Sequence, residues 1–132
     1  MAVIEDLWVI HTTSQETQAN TNDNFSLQIQ SQGQRAVLVF PDLEHNEREL
    51  GRTDEYHFDL RDWEFDDEMI QPGEIEMITH GSNRWLPSSF WVISRNVNDE
   101  YRILIVNLNW PQNAYFSNDP SEGQTSRPLD QP

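Results

Sequence analysis

Residues 19–29 read Ala19-Asn20-Thr21-Asn22-Asp23-Asn24-Phe25-Ser26-Leu27-Gln28-Ile29, a polar, oxygen-rich loop that runs without a break into a strand. From Phe25 onward the apolar residues fall on every second position. Phe25, Leu27 and Ile29 therefore share one face, and Ser26, Gln28 and Gln30 the other, since side chains alternate across a strand. That is the pattern of a strand with one buried and one wet face. The amide carbonyls and the carboxylate just upstream are thereby set at the rim of a sheet. Loops held by a rigid scaffold converge at such rims, and hard cations find mixed oxygen ligands there.

Outward from this stretch, short apolar runs bounded by Gly, Pro, Asn and Asp recur along the chain, and no window sustains a capped helical period. Strands are expected over Asp6 to Thr12, Phe25 to Gln30, Arg35 to Phe40, Glu55 to Leu60, Glu74 to Thr79, Phe90 to Arg95 and Glu100 to Asn107, with room for one more. The fold class is all-β, an antiparallel β-sandwich of about eight strands. Trp8, Ile10, Phe25, Leu27, Phe58, Ile105 and Trp110 are the expected core. Ile103-Leu104-Ile105-Val106 is apolar on both faces, which predicts a central strand. The acid-rich segments Pro41 to Arg52 and Arg61 to Pro72 are expected to be irregular or to hold a short helix. Residues 1–116 form the expected sandwich domain. Residues 117–132 are expected to be a disordered tail or linker, having few apolar groups to offset the entropy of ordering.

At 132 residues the chain has room for one domain with a real core. Its 23 acids face 8 bases, all of them arginine, for a formal charge of −15. Such a field repels nucleic-acid phosphates, so nucleic acid is not expected as a partner, and it disfavours anionic lipid unless a bound cation reverses the local sign. A solubilising or salt-adapted surface explains the same acids without any specific role. There is no cysteine, which excludes disulfides and thiolate chemistry. No apolar run approaches the roughly 18 residues of a membrane span. A soluble protein is expected, cytoplasmic by default, with the compartment left unassigned.

Catalytic patterns are weak. Neighbouring acids such as Asp66-Asp67 or Asp54-Glu55 point to opposite faces if they lie on strands, which is a poor start for a carboxylate pair working across a cleft. His11, His57 and His80 fall into no paired-histidine metal motif, Ser88-Ser89 follow a proline rather than forming a nucleophile elbow, and no glycine-rich phosphate loop occurs. The chain alone is not expected to be an enzyme.

Taken in order, these segments resemble the PLAT (lipoxygenase-homology, LH2) domain over about Leu7 to Trp110. The resemblance is carried by Ala19-Asn20-Thr21-Asn22-Asp23-Asn24 before an alternating strand, and by Gly51-Arg52-Thr53-Asp54-Glu55-Tyr56. It continues through Ile75 to His80, Trp85, Phe90-Trp91-Val92-Ile93 and the closing Asn107-Leu108-Asn109-Trp110. A C2-like or lectin-like sandwich is the alternative fold. The PLAT resemblance implies a calcium site at the rim. Position by position, its ligands would be Asn20, Asn22, Asp54 and Glu55, with Asp23 supplying charge one step along. Two positions depart from the pattern: Asn22 stands in place of a carboxylate, and Gly81 stands after His80 where an acid is usual. Plain Asx turns account for the same loop without a metal.

The resemblance also implies docking to a protein or a membrane surface, for which Trp63 and Phe65 are the candidate aromatics. Their acidic neighbours Asp62, Glu64, Asp66, Asp67 and Glu68 favour a protein target over anionic lipid. The same rings could also tuck beneath the sheet as packing. Two alternatives stay open: a carbohydrate-binding sandwich with Trp63 or Trp85 as stacking platform, or a structural subunit of a larger acidic assembly.

Overall fold

The computed structural model describes residues 2–16, 19–21, 23–41 and 47–132. Asn22, expected as a metal ligand, and residues 42–46 of the segment expected to be irregular lie outside the described residues. Eight strands run in the order β1 (Ile4–Thr13), β2 (Phe25–Ser31), β3 (Gln34–Val39), β4 (Thr53–Asp59), β5 (Ile75–Thr79), β6 (Pro87–Asn96), β7 (Tyr101–Asn107) and β8 (Ser126–Pro128). They form two antiparallel four-stranded sheets, ordered β4-β1-β6-β7 and β3-β2-β5-β8. The molecule is an all-β sandwich. The only helical element among the described residues is a 3-10 turn at Pro72–Glu74, and no described helix is long and apolar enough to cross a membrane.

Between the sheets, β2 contributes Phe25, Leu27 and Ile29, all fully buried, as its alternation predicts, but its other face is not wet throughout: Ser26 and Gln28 are buried as well, covered by their hydrogen-bonded neighbours, and only Gln30 is exposed. β4 alternates fully, with Asp54, Tyr56 and Phe58 inside and Glu55, His57 and Asp59 outside. β1 corrects the sequence reading. Both of its parities are apolar, so period two cannot choose a face, and Trp8 and Ile10 turn outward while Leu7, Val9 and His11 line the core. Pairing makes the choice: Leu7 lies opposite Phe58 and Val9 opposite Tyr56, whereas Trp8 faces His57 and Ile10 faces Glu55. Directly opposed residues share a face.

β7 differs from expectation as well. It is an edge strand, and only Ile105 of its apolar run is fully buried. The stretch 117–132 is not a disordered tail. Phe116 bridges Trp85 on one side and Gln124 on the other. This close approach needs Gly123, where an added Cβ would lie 2.4 Å from the Tyr115 carbonyl. Ser126–Pro128 then pairs with β5, and Leu129 is fully buried, its N–H donating to Ile75 O at 3.1 Å. Composition hid this strand because it is short and is ordered by its partner rather than by its own apolar content. Leu129→Ala should cost about 2–5 kcal/mol in denaturant unfolding; a residue in a tail would cost nothing measurable.

The core also holds an ionisable ring. His11 is fully buried, with neither ring nitrogen hydrogen-bonded, among Trp85 at 4.9 Å, Tyr56 at 5.1 Å, Phe90 at 5.9 Å and Phe40 at 6.2 Å between centroids. Burial, with the nearby Arg48 charge adding to it, lowers its pKa from 6.5 to about 3. The unfolded chain takes up this proton below pH 6.5 while the folded chain refuses it until about pH 3, so stability falls as pH drops through that window. The slope from this group is about 1.4 kcal/mol per pH unit. His11→Phe, which breaks no ring hydrogen bond, should flatten the loss of melting temperature between neutral and mildly acidic pH; an unchanged slope would reassign the acid sensitivity.

Candidate functional site

The rim begins where the polar loop enters β2, and the loop is strapped on two sides. Thr21 Oγ1 donates to Asn83 O at 2.7 Å and accepts from Asp23 N at 3.1 Å, Leu86 N donates to Ala19 O at 3.0 Å, and Thr21 N donates to Arg48 O at 3.3 Å. His80 N donates to Asn24 O at 2.9 Å, and the His80 ring pairs with Ser26 Oγ at 2.6 Å. Asn20 is exposed and lines an open polar hollow with Asn83, Arg84 and Glu122.

Asp23 is the carboxylate the loop places. An added Cβ at Gly81 would sit 2.3 Å from Asp23 Oδ1 and Cγ. The Asp23 side chain thus fills the space a side chain at position 81 would claim. Its Oδ2 is buried without a hydrogen-bond partner among the described residues. Burial raises its pKa, opposed by a hydrogen bond from the Asn83 backbone and by the Arg48 charge. The sequence pattern marked Gly81 as a lost acid; the reciprocal occupancy by Asp23 is tertiary and left no local signal.

The other expected ligands do not converge on Asp23. Asp54 is buried and hydrogen-bonded through both oxygens, from Arg48 N at 2.8 Å and Arg52 Nε at 3.1 Å. Glu55 projects from the opposite side of β4, beside Ile10. No group of three or more His, Cys, Asp or Glu able to hold a metal occurs among the described residues. Calcium takes six to eight oxygens. Asp23, with its unpartnered oxygen, suits one of those places, and Asp54 and Glu55 do not.

Directly beneath the rim lies a residue that pattern reading missed. The Arg48 side chain is buried with its guanidinium carbon over Phe25 at 4.5 Å, Tyr56 at 5.4 Å, Phe40 at 5.6 Å and Trp85 at 5.8 Å from the ring centroids. Its backbone is left-handed at φ 55, and Asp54 accepts its N–H. Glu47 lies 3.6 Å from Arg48 Nη1 and accepts the Tyr56 hydroxyl, whose pKa is raised by burial despite the opposing Arg48 charge, with the Glu47 hydrogen bond adding to the rise. A resident cation already balances the acids here. In an acidic loop, a lone arginine flanked by acids was the available hint.

Of the two aromatics expected to bind a partner, Phe65 is fully buried, its carbonyl accepting Ile4 N at 2.8 Å, and is corrected to a core residue, whereas Trp63 is half-buried against the core. Trp85 is also fully buried and donates Nε1–H to Thr13 Oγ1 at 2.9 Å, so it offers no stacking platform to a sugar.

No protein-family model and no curated protein matches the chain. Solved structures do. The alpha-toxin of an avian strain of Clostridium perfringens superposes with a TM-score of 0.74 at 20% identity, over 96% of this chain and 31% of that one. Alpha toxin from Clostridium absonum gives 0.71 at 17% identity over the same shares. Coral 8R-lipoxygenase, whose structure is described by calcium activation via a C2-like domain, gives 0.54 at 20% identity over 77% of this chain and 17% of that one. The chain therefore shares the β-sandwich fold of these structures. This chain spans less than a third of the length of each of these neighbours.

Gly81→Ala should destabilise the fold by about 1–3 kcal/mol by overpacking the Asp23 carboxylate. Asp23→Ala in the same chain should recover most of the loss, a coupling visible in a double-mutant cycle of denaturant midpoints. Additive effects would show that the two positions do not share the space.

Proposed function

We propose that the chain is a non-catalytic docking module of PLAT type, mediating contact with a protein or a membrane surface within or beside a larger protein. The supporting observation is that this sandwich recurs as a minor part of the toxin and lipoxygenase chains. Fold alone carries no activity across, and the docking role is tested directly. In-cell cross-linking of the tagged chain, purified under denaturing conditions, should enrich a small, saturable set of partners over an unrelated tagged sandwich of similar charge. Equal recovery from both would remove the reading.

Calcium at the rim is a second reading, favoured by the unpartnered Asp23 oxygen. Its ligands would be Asp23 with the amide and backbone oxygens of Asn20 and Asn22; Asp54 and Glu55, included by sequence, would not take part. A single carboxylate sets the affinity low, on the order of 10⁻³ M or weaker. Excess calcium should then raise the melting temperature slightly over EDTA, and Asp23→Asn should abolish the difference. Identical melting in calcium and EDTA would eliminate the metal, as would a shift that survives Asp23→Asn.

A further inference from the structure

The two outer faces of the sandwich differ in how far apolar side chains extend across them. On the β3-β2-β5-β8 sheet, exposed Val37 and Val39 lie on the edge strand β3, and the neighbouring polar side chains satisfy one another: Gln28 Nε2 donates to Glu76 Oε1 at 2.9 Å, and Arg35 donates to Gln28 Oε1 at 2.8 Å. On the β4-β1-β6-β7 sheet, register lays out two apolar rows across three strands. One row is Ile10, Trp91 and Val106; the other is Trp8, Ile93 and Ile103. Tyr101 stacks on Trp8 at 5.9 Å, widening the second row. Tyr101 is 64% exposed, Ile103 57% and Val106 52%. Monomeric proteins rarely leave apolar side chains contiguous on one surface, and such patches mark contact sites.

The border of this face carries a definite charge. Glu55 stands beside Ile10, and Glu100 immediately precedes β7; both are exposed and neither makes an ion pair among the described residues. The nearby arginines are tied down. Arg95 binds Asp6 at 2.6 Å and Glu5 at 3.0 Å, Arg61 binds Asp6 at 3.3 Å and Asp59 at 3.2 Å, and Arg102 leans towards Glu68 at 3.7 Å. The uncompensated charge around the apolar rows is therefore negative, on a chain whose formal charge is −15.

We propose that the outer face of the β4-β1-β6-β7 sheet is the docking surface, and that its occupant is a protein surface with an apolar centre bordered by lysine or arginine. This rests on the docking-module reading above and names its surface and partner chemistry. Like charge opposes the other occupants: a second copy would set Glu55 and Glu100 against their own equivalents, and an anionic bilayer would meet the same acids.

A phage-displayed random peptide library panned on the full chain tests the chemistry, with Ile103→Ser/Val106→Thr and Glu55→Gln/Glu100→Gln as the diagnostic variants. Both pairs are exposed, and circular dichroism melts confirm folding before use. Enriched peptides should combine aromatic or aliphatic residues with Lys or Arg. Their binding should weaken about tenfold or more on Ile103→Ser/Val106→Thr. It should weaken several-fold on Glu55→Gln/Glu100→Gln and with added salt, and should be unchanged by Gln30→Ala on the polar face. Enrichment of uncharged or acidic peptides overturns the proposal. So does sedimentation equilibrium showing a dimer that the first variant dissolves, or phosphatidylcholine–phosphatidylserine vesicles retaining the chain through Ile103 and Val106. Peptide binding blind to the face variants removes this surface but leaves docking intact; no enrichment, together with no cross-linked partner, removes both.

Discussion

Burying a guanidinium between two sheets constrains everything around it. Arg48 sits over rings drawn from both halves of the sandwich, Phe25 at the start of β2 and Tyr56 in β4, together with Phe40 and Trp85 in the connections. An unpaired charge there would be costly, and the ring faces, Glu47 and the Asp54 bond to its backbone supply the compensation. Those debts explain neighbouring features that look unrelated. Asp54 is drawn inward away from any rim ligand set, Tyr56 keeps its proton, and His11, packed on the same rings, remains neutral.

The rim loop inherits this arrangement. Thr21 hangs from the Arg48 carbonyl, and the Asp23 carboxylate, turned over Gly81, feels the same positive charge from above. The sandwich therefore divides its acids between two tasks: Asp23 faces the rim nearly alone, and Asp54 is committed to holding the chain in shape. The carboxylate at 23 and the absent side chain at 81 are a single packing solution.

Much of the fold could be read in the chain because the apolar residues of β2 and β4 alternate cleanly in sequence, which fixes the element and its core side, although the polar side of β2 is largely buried too. β1 could be read as a strand but not oriented, since Trp8 and Ile10 compete on equal terms with Leu7 and Val9; the answer lay in its register with β4, which is long-range information. β7 failed in a related way. Apolar on both sides, it reads as interior, yet the second side is covered by nothing among the described residues. β8 was invisible because three residues bounded by turns carry no period. At the site, the loop and Gly81 were visible as departures from a pattern. The contact between Asp23 and Gly81, and the depth of Arg48, were not, because neither is encoded by spacing along the chain.

The pairing of β8 with β5 has a bearing on how the chain is made. Synthesis delivers residues in order, and the second sheet lacks its edge, and the core its Leu129, until Ser126 to Leu129 emerge. Until then β5 offers an unpaired backbone edge beside an open hydrophobic seam, the arrangement most prone to wrong pairing. β8 acts as a latch, so a proteolytic cut shortly before Ser126 would leave a sandwich that holds seven of its eight strands but is unable to close.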